Sequence, residues 1–219
     1  MFRGFDFSIL WVNAPFLWNG MLLTLQLTML AVTGGLLLGV VLAMLRLSPI
    51  KPLALMVEGY VNFLRSMPLI LVIFWFYTLV PKLIGKPVSS FYSVLIAFVM
   101  FEAAYYSEII RAGISSVRRG QISAAMALGL TNLQAMRYVI LPQALRNMIP
   151  VLLTQSIVML QDTSLVYVVG LRDFLTSADI VASRDNRPTE LYLFVAVVFL
   201  VICFGASRLV NRLRRRYVL

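Results

Sequence analysis

Five long runs of apolar residues constrain this chain more than any other feature. They cover approximately residues 19–45, 53–80, 91–110, 149–171 and 191–210, and Pro68 interrupts the second near its middle. Because about 20 apolar residues cross the ~30 Å hydrocarbon core of a bilayer as a helix, each run predicts a membrane span. The composition, 61% hydrophobic and 13% charged residues, excludes a water-soluble globule. Spans of this length fill the 219 residues and leave no room for a separate soluble domain. We therefore predict an all-α membrane protein with one five-span domain over residues 1–219.

The residue types that are missing exclude several classes of enzyme. The chain has no histidine, and its one cysteine, Cys203, lies inside an apolar run. Without histidine, the usual Ser/His and Cys/His nucleophile arrangements and histidine-dependent intramembrane proteolysis are excluded. No GxxxxGK[ST] loop is present to hold nucleotide phosphates. We expect no catalytic residue, metal or cofactor on this chain, so that any ATP must be hydrolysed by a partner.

The distribution of positive charge predicts the orientation in the membrane. Residues 1–18 lack the basic region and cleavage site of a signal peptide and are expected to be an interfacial lead-in. Five spans place the termini on opposite sides, and twelve lysines and arginines fall on the side of the C-terminus against six on the other. The positive-inside rule then predicts a cytoplasmic C-terminus and an N-terminus outside. This asymmetry accounts for the net charge of +10 without nucleic-acid binding.

A polar stretch of some 38 residues separates the third and fourth runs. Its alanine-rich part, residues 121–128, suits a short helix, and Gly129 can supply a left-handed helix end. Thr131 or Asn132 can cap a second helix that continues to residue 141 and ends before Pro142. We expect two short helices, joined at the glycine, at the cytoplasmic membrane face.

The same stretch resembles the EAA loop of the permease subunits of ABC importers. The family pattern is EAA, three residues, glycine, nine residues, then I-x-L-P, and this chain matches it from Ala124 to Pro142. Ser123 stands where the family has glutamate, and Val139 replaces isoleucine. The resemblance implies that residues 121–142 form a coupling loop that docks on the ATPase, whereas the alternative is an amphipathic helix lying on lipid. The residues assigned to coupling are Gln121, Ser123, Ala124, Ala125, Gly129, Leu141 and Pro142.

Three further segments narrow the resemblance. RSMPL at 65–69, FEAAYYSEIIRAGI at 101–114 and QDTSL at 161–165 are similar to segments of polar amino-acid importer permeases of the histidine/glutamine/glutamate type. The resemblance implies a type I ABC importer permease in the bacterial inner membrane, with glutamate or aspartate as substrate. It also implies a second permease subunit, in a heterodimer or a homodimer, a dimer of ATPase subunits that hold ATP and Mg²⁺, and a periplasmic binding protein.

Ionisable residues inside the spans are the candidates for substrate contact, because burying one near the bilayer centre costs about 2.5–3.5 kcal/mol unless it has a partner or a cavity. Glu58, Asn62 and Arg65 share one helical face, which is expected to point into the bundle. The Arg65 guanidinium can bind a carboxylate through two hydrogen bonds. The alternative is a structural ion pair of Arg65 with Glu58 or Glu102.

The third and fourth runs supply acidic groups. Glu102 has tyrosines at i+3 and i+4, and Asp162 lies seven residues after Gln155 with two hydroxyl residues following it. Asp162 is assigned to substrate or pathway contact, Glu102 to substrate contact or a structural pair, and Glu108 with Arg111 to a structural pair. The predicted substrate-binding residues are Arg65, Ser66, Glu102, Tyr106, Asp162, Thr163 and Ser164.

The charges of the candidate substrate-binding residues do not identify the transported amino acid. One arginine and two carboxylates sum to −1, which suits a zwitterion or a basic amino acid better than an acidic one, unless a second permease subunit adds a cation. A secondary transporter driven by an ion gradient is the main rival mechanism, but the chain has no internal duplication of the kind such proteins use. A membrane enzyme and a substrate-gated channel are weaker alternatives.

Two surface features concern neighbours in the membrane. Small residues recur every four positions from Ala31 to Ala43 on the first span, which predicts close helix packing within the chain or at a subunit interface. The arginines at 212 and 214–216 predict an anchor on anionic lipid.

Overall fold

The computed structural model describes residues 8–217, with side-chain surroundings up to Arg215. Within this part of the chain every regular element is helical, which confirms the predicted all-α class. The helices are α1 (Ser8–Val12), α2 (Ala14–Arg46), α3 (Lys51–Arg65), α4 (Leu69–Ile84), α5 (Ser90–Ser115), α6 (Arg119–Ala127), α7 (Asn132–Ala135), α8 (Leu141–Asp162), α9 (Phe174–Asp185) and α10 (Pro188–Tyr217), with a 3₁₀ segment over Thr163–Val169.

The described residues contain four helical segments long and apolar enough to cross a bilayer: α2, α5, the continuous segment Asn132–Val169, and α10. The pair α3–α4 passes the same test together, and is the fifth span if it counts as one. Its two helices meet at 108°. Pro68 explains the break, because it has no N–H to donate and disfavours helical backbone at the residue before it; its own backbone is extended, with ψ 132°.

The first span begins earlier than predicted. Residues 1–7 of the expected lead-in lie outside the described residues, but α1 and the start of α2 make 8–12 and 14–18 helical. Pro15 in the first turn of α2 explains the early start, because proline fits the first helical positions, where its missing N–H costs nothing.

The predicted helix end before Pro142 is wrong. The chain stays helical from Asn132 through Pro142 to Asp162, with a π-type turn over Met136–Ile140. A π turn pairs N–H and C=O groups five residues apart, and the changed register just ahead of Pro142 lets the proline enter the first turn of α8 as a helix-compatible residue. The second short helix and the fourth span are consequently one continuous segment.

Helix α5 is the centre of the bundle. Of its most apolar window, 61% is buried, against 17–28% for the other three spans. The main core joins α5 to α2, α3, α4 and the end of α8 through residues such as Leu27, Val61, Phe98 and Met159. A second core joins α9 and α10 to the start of α2.

The small residues of α2 pack inside the chain, so the structure confirms the intramolecular alternative for this ladder. Ala31, Gly35, Gly39 and Ala43 are all buried. A β-carbon added at Gly35 would lie 2.7 Å from the β-carbon of Glu102, and one added at Gly39 would lie 2.7 Å from that of Tyr106. These contacts press α2 against the α5 turns that carry the predicted site.

Candidate substrate and coupling sites

Glu102 is the most deeply buried charged residue of the predicted substrate set. Its side chain is 0% exposed, and its Oε1 accepts a hydrogen bond from Gln155 Nε2 on α8 at 3.1 Å. The Glu102 Oε2 atom has no hydrogen-bond partner among the described residues. One turn further along α5, the hydroxyls of Tyr106 and Ser156 are 3.0 Å apart. The structure therefore brings polar groups of α5 and α8 together in the middle of the bundle.

Asp162, Thr163 and Ser164 lie where α8 tightens into the 3₁₀ segment. Asp162 is half-buried and ends α8, seven residues after Gln155. Thr163 is fully buried and donates to the Leu160 carbonyl at 2.7 Å. Neither Asp162 nor Glu102 forms an ion pair among the described residues, and no cluster there has the composition of a metal site.

Arg65 does not join this group. The face that carries Glu58, Asn62 and Arg65 is exposed on the chain, whereas Val57, Val61 and Leu64 face the core. The predicted inward orientation of that face is wrong, because the apolar residues of the same helix take the buried side. Ser66, at the break after α3, is also exposed and donates to the Asn62 carbonyl at 2.8 Å.

The alternative, an ion pair of Arg65 with Glu58 or Glu102, is not formed among the described residues. The Arg65 guanidinium lies 3.8 Å from Glu108 and 5.4 Å from the ring centre of Tyr105. Arg111 Nη2 lies 2.5 Å from Glu108 Oε1, which confirms the predicted structural pair of these two residues. Two helices, α3 and α5, therefore each bring an arginine to the Glu108 carboxylate.

Arg46 completes the ion cluster around Glu108, although its position in the sequence does not indicate this role. Its side chain is 7% exposed, with Nη1 2.6 Å from Glu108 and Nη2 3.8 Å from Glu58. In the sequence Arg46 is one of twelve cations on the side of the C-terminus, and nothing in its spacing shows that it turns inward. Only the packing of the end of α2 against α5 brings it to the glutamate.

We expect Glu108→Gln to lower the free energy of unfolding by about 2 kcal/mol, because it leaves the buried Arg46 guanidinium without its closest anion. Thermal melting of the purified chain in detergent micelles measures the effect. Asp185→Asn is the matched control, because its ion pair with Arg184 is exposed and pairs of that kind contribute little. Equal melting temperatures for Glu108→Gln and the parent chain would contradict the structural role of the cluster.

Gly129 ends the first helix of the predicted coupling loop in the expected left-handed conformation, with φ +80°. Its N–H bonds to the Met126 carbonyl at 3.0 Å, and the N–H of Leu130 bonds to the Ala125 carbonyl at 3.2 Å. This is the Schellman pattern, in which both bonds require a left-handed residue after the helix. The turn geometry, and not neighbouring atoms, selects glycine, because the space around its α-carbon is open.

The second half of the loop has the predicted cap. Thr131 and Gln134 form a reciprocal capping box: the Gln134 N–H donates to the Thr131 hydroxyl at 3.3 Å, and the Thr131 N–H donates to Gln134 Oε1 at 2.8 Å. A small core of Val117, Ile140 and Ala144, with Ile122 packed against it, holds α6 to the base of α8. The loop is thus a rigid element fixed to the bundle.

The outer surface of this loop is accessible. Among the residues assigned to coupling, only Ala125 is buried; the exposed ones are Gln121, Ser123, Ala124, Gly129, Leu141 and Pro142. Two apolar side chains that the sequence argument did not select, Leu128 and Leu133, are 83% and 78% exposed. They flank the Gly129 turn and make its tip apolar.

A bundle of membrane spans with a polar centre and a rigid helix held outside its base is the architecture of a membrane-transport component. The chain belongs to the family of binding-protein-dependent transport system inner membrane components, whose profile matches residues 35–218. It is therefore a multi-pass inner-membrane permease subunit of an ABC importer, a class that works with an ATPase and a substrate-binding protein.

Individual relatives agree with this assignment. The chain is 48% identical over 97% of its length to the glutamate/aspartate import permease protein GltK of Escherichia coli O157:H7, covering 98% of that protein. It is 31% identical to the arginine transport system permease protein ArtQ of Bacillus subtilis strain 168, over 90% of each chain. A crystal structure of an amino acid ABC transporter with histidines superposes with a TM-score of 0.91 at 37% identity, covering 97% of this chain and 99% of that one. This superposition confirms the predicted type I importer fold.

Proposed function

We propose that the chain imports an acidic amino acid, glutamate or aspartate, across the inner membrane, driven by ATP that a partner subunit hydrolyses. The observation that carries this proposal is the 48% identity, over nearly the whole length of both chains, to a glutamate/aspartate import permease. The ATP and Mg²⁺ belong to the partner ATPase.

The loop of residues 121–142 is the proposed contact with a dimer of ATPase subunits. Its apolar tip at Leu128 and Leu133, its fixed turn at Gly129 and its attachment to α8 support this role. An element that transmits force must be stiff and must be joined to what it moves, and this loop continues without a break into the helix that carries Gln155 and Asp162. By the distribution of lysine and arginine, the loop and the C-terminus lie in the cytoplasm and the N-terminus lies in the periplasm.

The polar group between α5 and α8 is the proposed substrate site. Glu102, Gln155 and Asp162 with the hydroxyls of Tyr106 and Thr163 offer acceptors and donors for an amino acid, and a carboxylate suits the substrate ammonium. Because Arg65 pairs with Glu108 instead, this group carries two carboxylates and no cation. We propose that a second permease subunit, most simply in a heterodimer, supplies the cation that binds the acidic side chain.

Two carboxylates without a cation also favour a second candidate, a basic amino acid. The similarity to an arginine permease makes this alternative concrete. The deciding experiment reconstitutes the chain with its partner permease, ATPase and binding protein in proteoliposomes and measures uptake of radiolabelled glutamate, aspartate and arginine. ATP-dependent uptake of glutamate supports the first candidate, and uptake of arginine alone supports the second. Uptake that persists without ATP and stops with an uncoupler would overturn both in favour of an ion-driven transporter.

We expect Asp162→Asn to lower amino-acid uptake at least tenfold, because a hydrogen bond to a charged group contributes about 1.5–3 kcal/mol, which exceeds the ~1.4 kcal/mol that corresponds to a factor of ten. Basal ATP hydrolysis is expected to stay within about twofold. Asp179→Asn is the matched control, because Asp179 is exposed outside the spans on α9. Unchanged uptake by Asp162→Asn would remove this residue from the site.

A further inference from the structure

The last turns of α10 form a row of cations without a counter-ion among the residues that the structure describes. Arg208, Asn211, Arg212 and Arg215 follow i, i+3, i+4, i+7 spacing and share one face, and Arg214 lies one turn beyond Asn211. None of the four arginines forms an ion pair among the described residues. The sequence has no acidic residue in α10 after Glu190, so the positive field here is not compensated locally.

This row borders a groove between two spans. Asn147, Pro150, Val151 and Thr154, again at i, i+3, i+4, i+7, form one wall on α8, while Val210, Asn211 and Arg214 form the other on α10. The groove has a volume of about 400 Å³. The α8 wall also lacks acidic residues from Leu141 to Gln161. Within this lining the Thr154 hydroxyl donates to the Pro150 carbonyl at 2.9 Å and the Asn147 amide donates to the Ser116 hydroxyl at 2.9 Å. The charged donor that the groove offers to a ligand is therefore the Arg214 guanidinium.

We propose that this groove, with the arginine row beside it, is a binding site for the headgroup of an anionic phospholipid. The charges match a phosphodiester, which guanidinium groups bind through paired hydrogen bonds. Basic pockets between spans at the membrane surface are a known type of anionic-lipid site. An apolar neighbour decides between a lipid and a soluble anion: Val151, which lines the groove, is 50% exposed and gives an acyl chain a surface beside the headgroup.

The site does more than anchor the end of the chain. Arg214 faces α8 across the groove, so a bound headgroup would bridge α10 to the helix that continues into the coupling loop. A specific site stabilises the folded chain by mass action when its ligand is present. Diffuse attraction of lipid to a charged surface stabilises it only weakly, and that attraction depends strongly on salt. This distinction makes the proposal testable on the full chain alone, without the transport partners.

The test uses the full chain in detergent micelles doped with dioleoyl-phosphatidylglycerol or, as the neutral reference, dioleoyl-phosphatidylcholine. We expect phosphatidylglycerol to raise the melting temperature by roughly 3 °C or more relative to phosphatidylcholine. Arg212→Gln/Arg214→Gln should lose more than half of this increment. Arg118→Gln/Arg119→Gln, which removes the same charge from exposed positions outside the groove, should keep it.

Three results would overturn the proposal. The first is an equal loss in both double variants, which indicates general electrostatics instead of a site. The second is the same stabilisation by inorganic phosphate at matched concentration, which indicates an anion without acyl chains. The third is a parent chain whose melting temperature is no higher in phosphatidylglycerol than in phosphatidylcholine. If the double variant does not purify, Arg214→Gln alone carries the test, with Arg118→Gln as its control.

Discussion

Replacement of Gly129 by valine is expected to reduce ATP-driven amino-acid uptake at least tenfold while the bundle stays folded. The left-handed backbone at this position costs a branched residue about 1–2 kcal/mol. If the turn rearranges to avoid that cost, the two hydrogen bonds that close α6 are lost, at about 1 kcal/mol each. Because the turn presents Leu128 and Leu133, its rearrangement moves the proposed contact with the ATPase. Uptake and ATP hydrolysis are both measured in proteoliposomes. We expect ATP hydrolysis to continue while uptake is lost.

Two control variants isolate the backbone conformation as the cause. Gly129→Asn should retain most of the uptake, because asparagine tolerates the left-handed region. Gly120→Val should also be tolerated, since Gly120 is exposed, has open space around it and has no positive φ. Loss of uptake in Gly120→Val equal to that in Gly129→Val would mean that the loop resists any added bulk. Full uptake by Gly129→Val in an intact complex would refute the coupling role.

Replacement of Gly39 by leucine is expected to destabilise the fold more than Glu108→Gln does. A β-carbon at Gly39 would lie 2.7 Å from the Tyr106 β-carbon and 3.1 Å from the Ala103 carbonyl oxygen, and a backbone atom cannot move aside as the end of a side chain can. Overpacking in a rigid core costs about 1–3 kcal/mol, and the forced separation of α2 from α5 adds the loss of their close packing. We expect a lower melting temperature and a reduced monodisperse fraction in size-exclusion chromatography.

The control for this variant uses the same substitution on an open face. Gly205 lies on α10 with no atom within 4 Å of an added β-carbon, and it is exposed. Gly205→Leu should therefore melt within about 2 °C of the parent chain, an interval that corresponds to less than about 1 kcal/mol for a chain of this size. Equal melting temperatures for the Gly39→Leu and Gly205→Leu variants would contradict the close packing of α2 against α5 that the structure shows.

Local chemistry made the turn and the cap in the loop of residues 121–142 predictable from the sequence. The Gly129 helix end and the Thr131 cap depend on residues within a few positions of one another, and both are found as expected. The spans followed from length and hydropathy in the same way. Pro142 shows the limit of such reasoning, because its tendency to end a helix was overcome by a π-type turn that sequence patterns do not reveal.

The partners of buried charges were not predictable, because they depend on how helices pack. Periodicity placed Glu58 and Arg65 on one face, but the apolar face of α3 is the buried one, so the charged residues turn outward. Arg46 turned inward for the opposite reason: the end of α2 lies against α5 at the height of Glu108. Glu102 and Gln155 meet because α5 and α8 cross there, and nothing in their spacing of 53 residues indicates it.

The uninterrupted helix from Asn132 to Asp162 joins the proposed coupling loop to the proposed substrate site. At 1.5 Å per residue, its 31 residues form a lever about 46 Å long, with the capping box at one end and an acidic group at the other. A tilt of about 5° around one end displaces the other by about 4 Å on this geometry, which exceeds the length of a hydrogen bond. A displacement approaching that size at Gln155 would break its 3.1 Å hydrogen bond to Glu102.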